Sequence, residues 1–342
     1  MGWLTPVLPT WVSIVAFVAA ALAIGVFGFR LAGVVNRLAD RTGMGEALAG
    51  AVLLGATTSA AGTVVSVVAA ADGNASLAIG NSVGGIAVQT AFLVVADLVH
   101  RGANLEHAAA SLTNVFNAVL VVFLLAIILM GVAAPGWTFL GIHPASAVIV
   151  AVYAYGLRVG RSIGIEPMWH PRRTSDTQPD EPAQHDPRES LSGLWARFLG
   201  LALVVVVAGW AIGRSGVSLI ETTGISETLV GTFFTSVATS IPELVTTVAA
   251  VRAGALTLAV AGIVGGNTFD TLFVPAADLA YRQGSLYDAA TRSDVFVLGW
   301  TIALAALVAL GLVRRERGGI GFEGVAIAGL YAVGVVVVAL LG

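Results

Sequence analysis

The sequence predicts an all-α integral membrane protein of about ten transmembrane helices in two inverted five-helix repeats. Three observations carry this. Apolar runs of bilayer length recur along nearly the whole chain, the two halves repeat each other at one fixed offset, and arginines collect in alternate loops. With 57% hydrophobic and 11% charged residues, the chain stands far from the roughly 25% charged content of soluble domains, so its dominant solvent is lipid. The absence of cysteine excludes disulfides and thiolate metal sites. A net charge of −3 without a basic stripe gives no footing for nucleic acid.

About 20 apolar residues cross a hydrocarbon core. Ten such runs are predicted, at about 10–33, 45–71, 77–99, 108–132, 138–158, 193–213, 225–251, 255–280, 293–313 and 320–341. The first continues through Gly28, Phe29, Arg30 and Leu31 as a full span. It lacks the cleavage site of a signal peptide and is expected to remain in the mature protein. Between the fifth and sixth runs, residues 159–191 hold Pro167, Pro171, Pro179, Pro182 and Pro187 among acids and arginines. Such a composition cannot bury a core, so a disordered cytoplasmic linker is expected. It divides the chain into 1–158, with an α-repeat at about 45–100, and 192–342, with an α-repeat at about 225–281.

All seventeen basic residues are arginine. With the amino terminus outside, fourteen fall on the cytoplasmic side, among them Arg37, Arg101, Arg161, Arg252 and Arg315; only Arg214, Arg282 and Arg292 fall outside. The positive-inside rule therefore places both termini outside and the linker in the cytoplasm. Trp3, Trp11, Trp137 and Trp195, near span ends, fit the interfacial aromatic belt. The compact, all-arginine chain points to a prokaryotic plasma membrane.

Residues 38–105 match residues 219–286 at a constant offset of 181, with 24 of 68 positions identical, where chance in so biased a composition gives about a tenth. The matches include Thr58 with Thr239, Ser59 with Ser240, Gly84 and Gly85 with Gly265 and Gly266, Thr90 with Thr271, and Asp97 with Asp278. An odd number of spans per repeat turns the second half upside down. Inverted repeats are a transporter signature, with the binding site near the midplane where the repeats meet.

Glu243 interrupts a long apolar stretch, in Thr239-Ser240-Ile241-Pro242-Glu243. A carboxylate near mid-membrane costs roughly 2.5–3.5 kcal/mol even on the lenient scale, so it needs compensation. Pro242 has no amide hydrogen, which in a helix leaves the carbonyl of Ala238 without its donor, beside the hydroxyls of Thr239 and Ser240. Carbonyl, hydroxyl and carboxylate oxygens are the hard ligands that sodium and calcium prefer. The next span carries Gly265-Gly266-Asn267-Thr268-Phe269-Asp270. Asn267 and Asp270 share a helix face, and the paired glycines allow close helix approach, which brings Asp270 towards Glu243. The first repeat offers Thr58, Ser59, Asn81 and Gln89; Gly62 answers Glu243 and Gln89 answers Asp270. Both expected carboxylates thus come from the second repeat, enough to neutralise one divalent or two monovalent cations. Asp97 and Asp278, each four residues before an arginine, are expected in helical ion pairs. His100, His107 and His143 are expected at the solvated interface.

Thr239-Ser240-Ile241-Pro242-Glu243 followed by Gly265-Gly266-Asn267-Thr268-Phe269-Asp270 resembles the second α-repeat of the sodium/calcium exchanger (cation/calcium antiporter) superfamily. The resemblance extends over both repeats. It implies interlocked repeats, four central helices lining the ion sites, and two long tilted helices that slide to alternate access. It also implies Glu243 and Asp270 as cation-binding carboxylates, Thr239, Ser240 and Asn267 as supporting groups, and Thr58, Ser59, Asn81 and Gln89 on the first-repeat side. The chain departs from the family in carrying Ala61-Gly62 in place of Pro-Glu; the Gly-Asn pair of the family stands at Gly80-Asn81 but as Ala261-Gly262 in the second repeat.

The expected activity is secondary antiport of calcium against sodium by alternating access, in the lipid bilayer, with inorganic cations as partners and no cofactor. Sodium/proton or other cation/proton exchange is the alternative within the class. A membrane scaffold or passive channel is the alternative outside it, but a scaffold has no need of an intramembrane glutamate beside a proline. No His-Glu zinc spacing, serine elbow or nucleotide loop marks an enzyme.

Overall fold

The computed structural model describes residues 7–42, 58–100, 103–109, 111–134, 136–139, 141–169, 172, 174 and 190–341. The regular elements among the described residues are all helices, apart from one isolated bridge between Phe139 and Ile142. The first half holds α1 (Thr10–Thr42), α2 (Ala60–Ala71), α3 (Ala75–His100), the short α4 (Leu105–Ala108), α5 (Leu112–Ala133) and α6 (Pro144–Ile165). The second holds α7 (Leu191–Thr223), α8 (Glu227–Thr239), α9 (Ile241–Arg252), α10 (Leu256–Asp270), α11 (Phe273–Ala280), α12 (Arg292–Arg314) and α13 (Gly321–Leu341).

Eight spans among the described residues are long and apolar enough to cross a bilayer, α10 and α11 counting as one, and the bent pair α8–α9 makes a ninth. The apolar α2 has 12 residues; the beginning of its expected run, 45–57, lies outside the described residues. The element order is the one read from hydropathy, with shifted ends. α1 and α7 each run for 33 residues, to Thr42 and Thr223. At 1.5 Å per residue each is about 50 Å long, longer than a hydrocarbon core of about 30 Å. α6 continues to Ile165, into the stretch expected as linker; most of the remainder lies outside the described residues.

Local chemistry sets the helix ends. α2 and α9 close with the same motif: Gly73 and Gly254 take positive φ of 89° and 81°, where a side chain would be strained. Their amides and the next ones return to the last turn, Gly73 to Ala70 and Asn74 to Ala69, Gly254 to Val251 and Ala255 to Ala250. Ser190 caps α7, and Thr291 with Asp294 forms a capping box on α12.

α1 and α7 pack against each other on the outside. Their apolar faces, with Trp11, Leu22, Leu199 and Leu203 exposed, are dressed for lipid rather than water. α3 is buried along most of its length, and glycines let it approach α8 closely. A Cβ on Gly84 would lie 2.6 Å from Cα of Thr232, within a π-helical turn at Val230–Thr235. The internal repeat reappears in the packing of the long helices. Gly28 of α1 seats Pro242, while Gly209 of α7, 181 positions on, seats the backbone of Ala61, the counterpart of Pro242.

Side-chain contacts tie span ends to one another at each end of the bundle. Asn104 binds Glu323 and Arg315 binds the carbonyl of His107 at one end. Asp278 binds Ser146, Asp294 binds Ser76 and Arg214 pairs with Asp72 at the other.

Candidate cation site

Two helix breaks prepare the site. Between α8 and α9 the chain bends by 44° at Ser240, whose φ/ψ of −93°/4° lies in the bridge region. Ser59, its counterpart, takes −81°/0° ahead of α2. Pro242 in the first turn of α9 offers no N–H to the Ala238 carbonyl. Glu243 also stands in that first turn, where unpaired amides and the helix dipole favour negative charge. Asp270 is the last residue of α10.

Both acids are buried, Glu243 at 4% and Asp270 at 1% exposure. The hydroxyl of Ser59 lies beside both carboxylates and that of Thr58 beside Glu243. From α3, Gln89 Nε2 donates to Asp270 Oδ2 at 2.6 Å and to Ser240 Oγ at 3.2 Å. Ser82 Oγ donates to the Asp270 carbonyl at 3.0 Å. Gly85 leaves room above the pair: a Cβ there would lie 3.9 Å from Ser240 Oγ and 4.0 Å from Asp270 Oδ2. No basic side chain is among the groups acting on either acid. Four oxygens of the cluster are buried without a hydrogen-bond partner: Glu243 Oε2, Asp270 Oδ1, Gln89 Oε1 and Ser59 Oγ. Buried polar atoms are rarely left so. A set of unpartnered hard oxygens around two carboxylates fits sodium or calcium.

A family model described as sodium/calcium exchanger protein matches residues 12–157 and 192–340. The chain belongs to that family. It is a membrane exchanger of cations and not an enzyme. Among solved structures, an H+/Ca2+ exchanger, CAX, superposes with a TM-score of 0.68 at 12% identity, covering 96% of this chain and 86% of that one. The sodium-calcium exchanger NCX_Mj, soaked with sodium and strontium, superposes with a TM-score of 0.62 at 14% identity over 96% of this chain and 99% of the other. A second crystal of the same protein reaches 0.64, also at 14% identity, over 96% and 99%. Nothing among curated proteins matches the chain in sequence.

Of the residues that the sequence singles out in this exchanger, Glu243, Asp270, Ser240, Gln89, Ser59 and Thr58 converge. Of the others, the amide nitrogens of Asn267 and Asn81, the Thr239 hydroxyl and the Ala238 methyl are engaged away from the carboxylates. Asn267 Nδ2 donates to Thr90 Oγ1 at 3.3 Å, and Asn81 Nδ2 to the Gly62 carbonyl at 3.0 Å and Ser66 Oγ at 2.9 Å. Each of these amides keeps an unpartnered oxygen. The Thr239 hydroxyl donates back to its own helix, to Thr235 and Ser236. The methyl of Ala238 packs in an apolar cluster with α1, α2 and α7. Sequence reasoning missed Ser82, one position from Asn81 in the same buried span, and Tyr153, whose buried hydroxyl has no partner and lies within electrostatic reach of Asp270. Ser82 carried a signal, a hydroxyl amid apolar residues; a tyrosine in a peripheral span carried none.

The structure corrects two expectations away from the site. Asp278 is not the partner of Arg282: α11 ends at Ala280, and Asp278 accepts instead from the amides of His143 and Leu286 and the hydroxyls of Ser146 and Ser285. Asp97 accepts from the amide of Leu105, the counterpart of Leu286; Arg101, its expected partner, lies outside the described residues. His107 and His143 are buried rather than solvated. His107 meets the Arg315 carbonyl and the Thr174 hydroxyl, and His143 caps α6 and packs on Tyr287.

A cavity of about 980 Å³ lies between α1, α7, α9 and α10. It is lined by Arg30, Arg37 and Arg197 and reaches Thr246 and Thr247, one turn beyond Glu243.

Proposed function

We propose that the protein exchanges calcium for sodium by alternating access at one site built on Glu243 and Asp270. The observation that carries this is the pair of buried carboxylates with unpartnered oxygens on both, and on Gln89 and Ser59, and with no basic group beside them. Glu243 and Asp270 supply the charge, Ser240, Ser59, Thr58 and Gln89 neutral oxygens, and the Ala238 carbonyl a further one at the break. Asn267 and Asn81 keep unpartnered amide oxygens as supporting groups, while the Thr239 hydroxyl is tied back to its own helix. Calcium and sodium need the same carboxylates, so binding of one expels the other, and the competition couples their fluxes. The cavity ending near Thr247 is the route from the cytoplasmic side, where the arginine distribution also places the linker. Sliding of the tilted α1 and α7 over the breaks at Ser240 and Ser59 closes it and opens the other face. The names of the structural neighbours, a proton/calcium and a sodium/calcium exchanger, support calcium as cargo.

Proton coupling is the second reading, favoured by the unpartnered Glu243 Oε2, since such an oxygen is equally a place for a proton. Calcium-45 uptake into proteoliposomes under an outward sodium gradient or a pH gradient separates the two. Uptake that needs sodium and is lost in Glu243→Gln supports the first reading; uptake driven only by the pH gradient supports the second. Neither flux, in well-folded protein, would overturn both.

A further inference from the structure

Phe273 opens α11, three residues beyond Asp270, and is 3% exposed. Its ring reaches α2 of the opposite repeat, where a Cβ added to Gly62 would lie 2.6 Å from Cε2 and 3.1 Å from Cζ. Gly62 is the internal-repeat counterpart of Glu243. Neither side has slack. Phe269 packs edge-on against Phe273 with centroids 6.3 Å apart, Tyr153 packs edge-on against Phe269 at 6.1 Å, and the Gly62 carbonyl is tied to Asn81 at 3.0 Å. Both repeats carry the phenylalanine, as Phe92 and Phe273, but only the first has a glycine to receive one. The space into which a first-repeat carboxylate mirroring Glu243 would project is filled with aromatic carbon.

We infer that the first-repeat half of the cation site adds no charge, position 62 being a glycine whose carboxylate space Phe273 fills, so that each cycle exchanges one divalent cation for two monovalent ones and moves no net charge. The inference rests on the reading of Glu243 and Asp270 as the ion-binding pair. Gln89, Ser59, Thr58 and Ser240 add oxygens but no charge. A third monovalent cation at this depth would leave a positive charge uncompensated near mid-membrane, which is strongly disfavoured. Phe273 touches no ion itself: it occupies the space that a third carboxylate, at position 62, would need.

The test is calcium-45 uptake by the reconstituted full chain under each gradient, with membrane potential clamped by potassium and valinomycin, for wild type, Gly62→Glu, Phe273→Ala and the double variant. Wild-type calcium accumulation is expected to stay constant with potential, whereas a cycle carrying one net charge would shift it about 50-fold per 100 mV. Gly62→Glu alone is expected to lose uptake at least tenfold. Phe273→Ala, which adds no carboxylate, stays insensitive to potential. The double variant is expected to regain uptake over Gly62→Glu and to respond to potential. Potential-dependent uptake by the wild type would overturn the inference while leaving calcium exchange intact, as would Gly62→Glu transporting as well as the double variant. Absence of any cation flux in the wild type would remove the functional reading and this inference together. If Gly62→Glu does not fold, Gly62→Ala decides the steric point. Its lowered melting temperature should be restored when Phe273→Leu, which removes the Cε2 and Cζ atoms, is added to Gly62→Ala; no restoration would overturn it.

Discussion

Gln89 Nε2 donates to Asp270 Oδ2 at 2.6 Å, and the two residues are each other's counterparts in the internal repeat, 181 positions apart. The pseudo-twofold relation between the halves therefore passes through a hydrogen bond at the candidate site. An amide faces a carboxylate where strict symmetry would set two like groups in opposition.

Replacing Gln89 by alanine strips Asp270 and Ser240 of that donor. A hydrogen bond to a charged group contributes roughly 1.5–3 kcal/mol, so Gln89→Ala should melt several degrees lower in detergent without calcium. Gln89→Asp sets two acids face to face, and its stability should depend on added calcium far more than that of the wild type.

A cation bound between Glu243 and Asp270 stabilises the folded state by mass action, about 2.7 kcal/mol at a hundredfold excess over Kd. Thermal unfolding with and without calcium should show this gain in the wild type and its loss in Asp270→Asn. Equal shifts in both proteins would place the ion elsewhere.

Asp278 accepts four hydrogen bonds that join α6, α11 and the loop before α12, whereas Arg282 is exposed. Asp278→Ala leaves several buried donors unpaired, at about 1–3 kcal/mol each, and should lower the melting temperature sharply. Arg282→Ala should change stability by less than about 0.5 kcal/mol, as surface substitutions generally do. Equal losses in the two variants would restore the ion pair that the sequence suggested.

A Cβ on Gly209 would stand 2.8 Å from the Ala61 carbonyl oxygen and 2.9 Å from its Cα. Backbone atoms cannot rotate away, so Gly209→Ala should cost about 1–3 kcal/mol through overpacking. Because the contact joins α7 to the break before α2, exchange should also slow; stability lost with turnover unchanged would separate this seat from the transport motion.

Glu106, in the short α4 between α3 and α5, is 3% exposed. Burial pushes its carboxyl from the ordinary 4.5 up to about 8; its own backbone amide partly offsets this, and the nearby Glu323 and Asp97 add to the rise. The folded chain thus holds a proton that the unfolded chain has released between those values. Stability is full below about 4.5, falls by at most about 1.4 kcal/mol per pH unit as pH rises through the window, and levels off above about 8. Melting temperatures from acid to alkaline pH should show this decline in the wild type and a flatter profile in Glu106→Gln.

Much of this architecture was legible in the residues alone. Span order follows from transfer of apolar side chains to lipid, a local quantity summed over about 20 residues, and the repeat from direct comparison. Pro242 announced the break that the structure places at Ser240, and Glu243 and Asp270 stood out because charge within an apolar run is costly. Span ends were less legible: α1 and α7 run on past their apolar cores because packing sustains helix where hydropathy falls.

What the sequence by itself determined was the medium, the repeated layout and the two acids; the tertiary structure decided which oxygens join them. Whether the Asn81 amide nitrogen finds the Gly62 carbonyl, whether Asp278 finds Arg282 or Ser146, and what fills the space beside Gly62 depend on which helices become neighbours. Phe273 shows why. Its place three residues from Asp270 reads as ordinary helix packing, and only the crossing of α11 over α2 sets its ring against the glycine that answers Glu243. Hydrophobicity acts residue by residue, but steric exclusion acts between residues that the chain separates by more than two hundred positions.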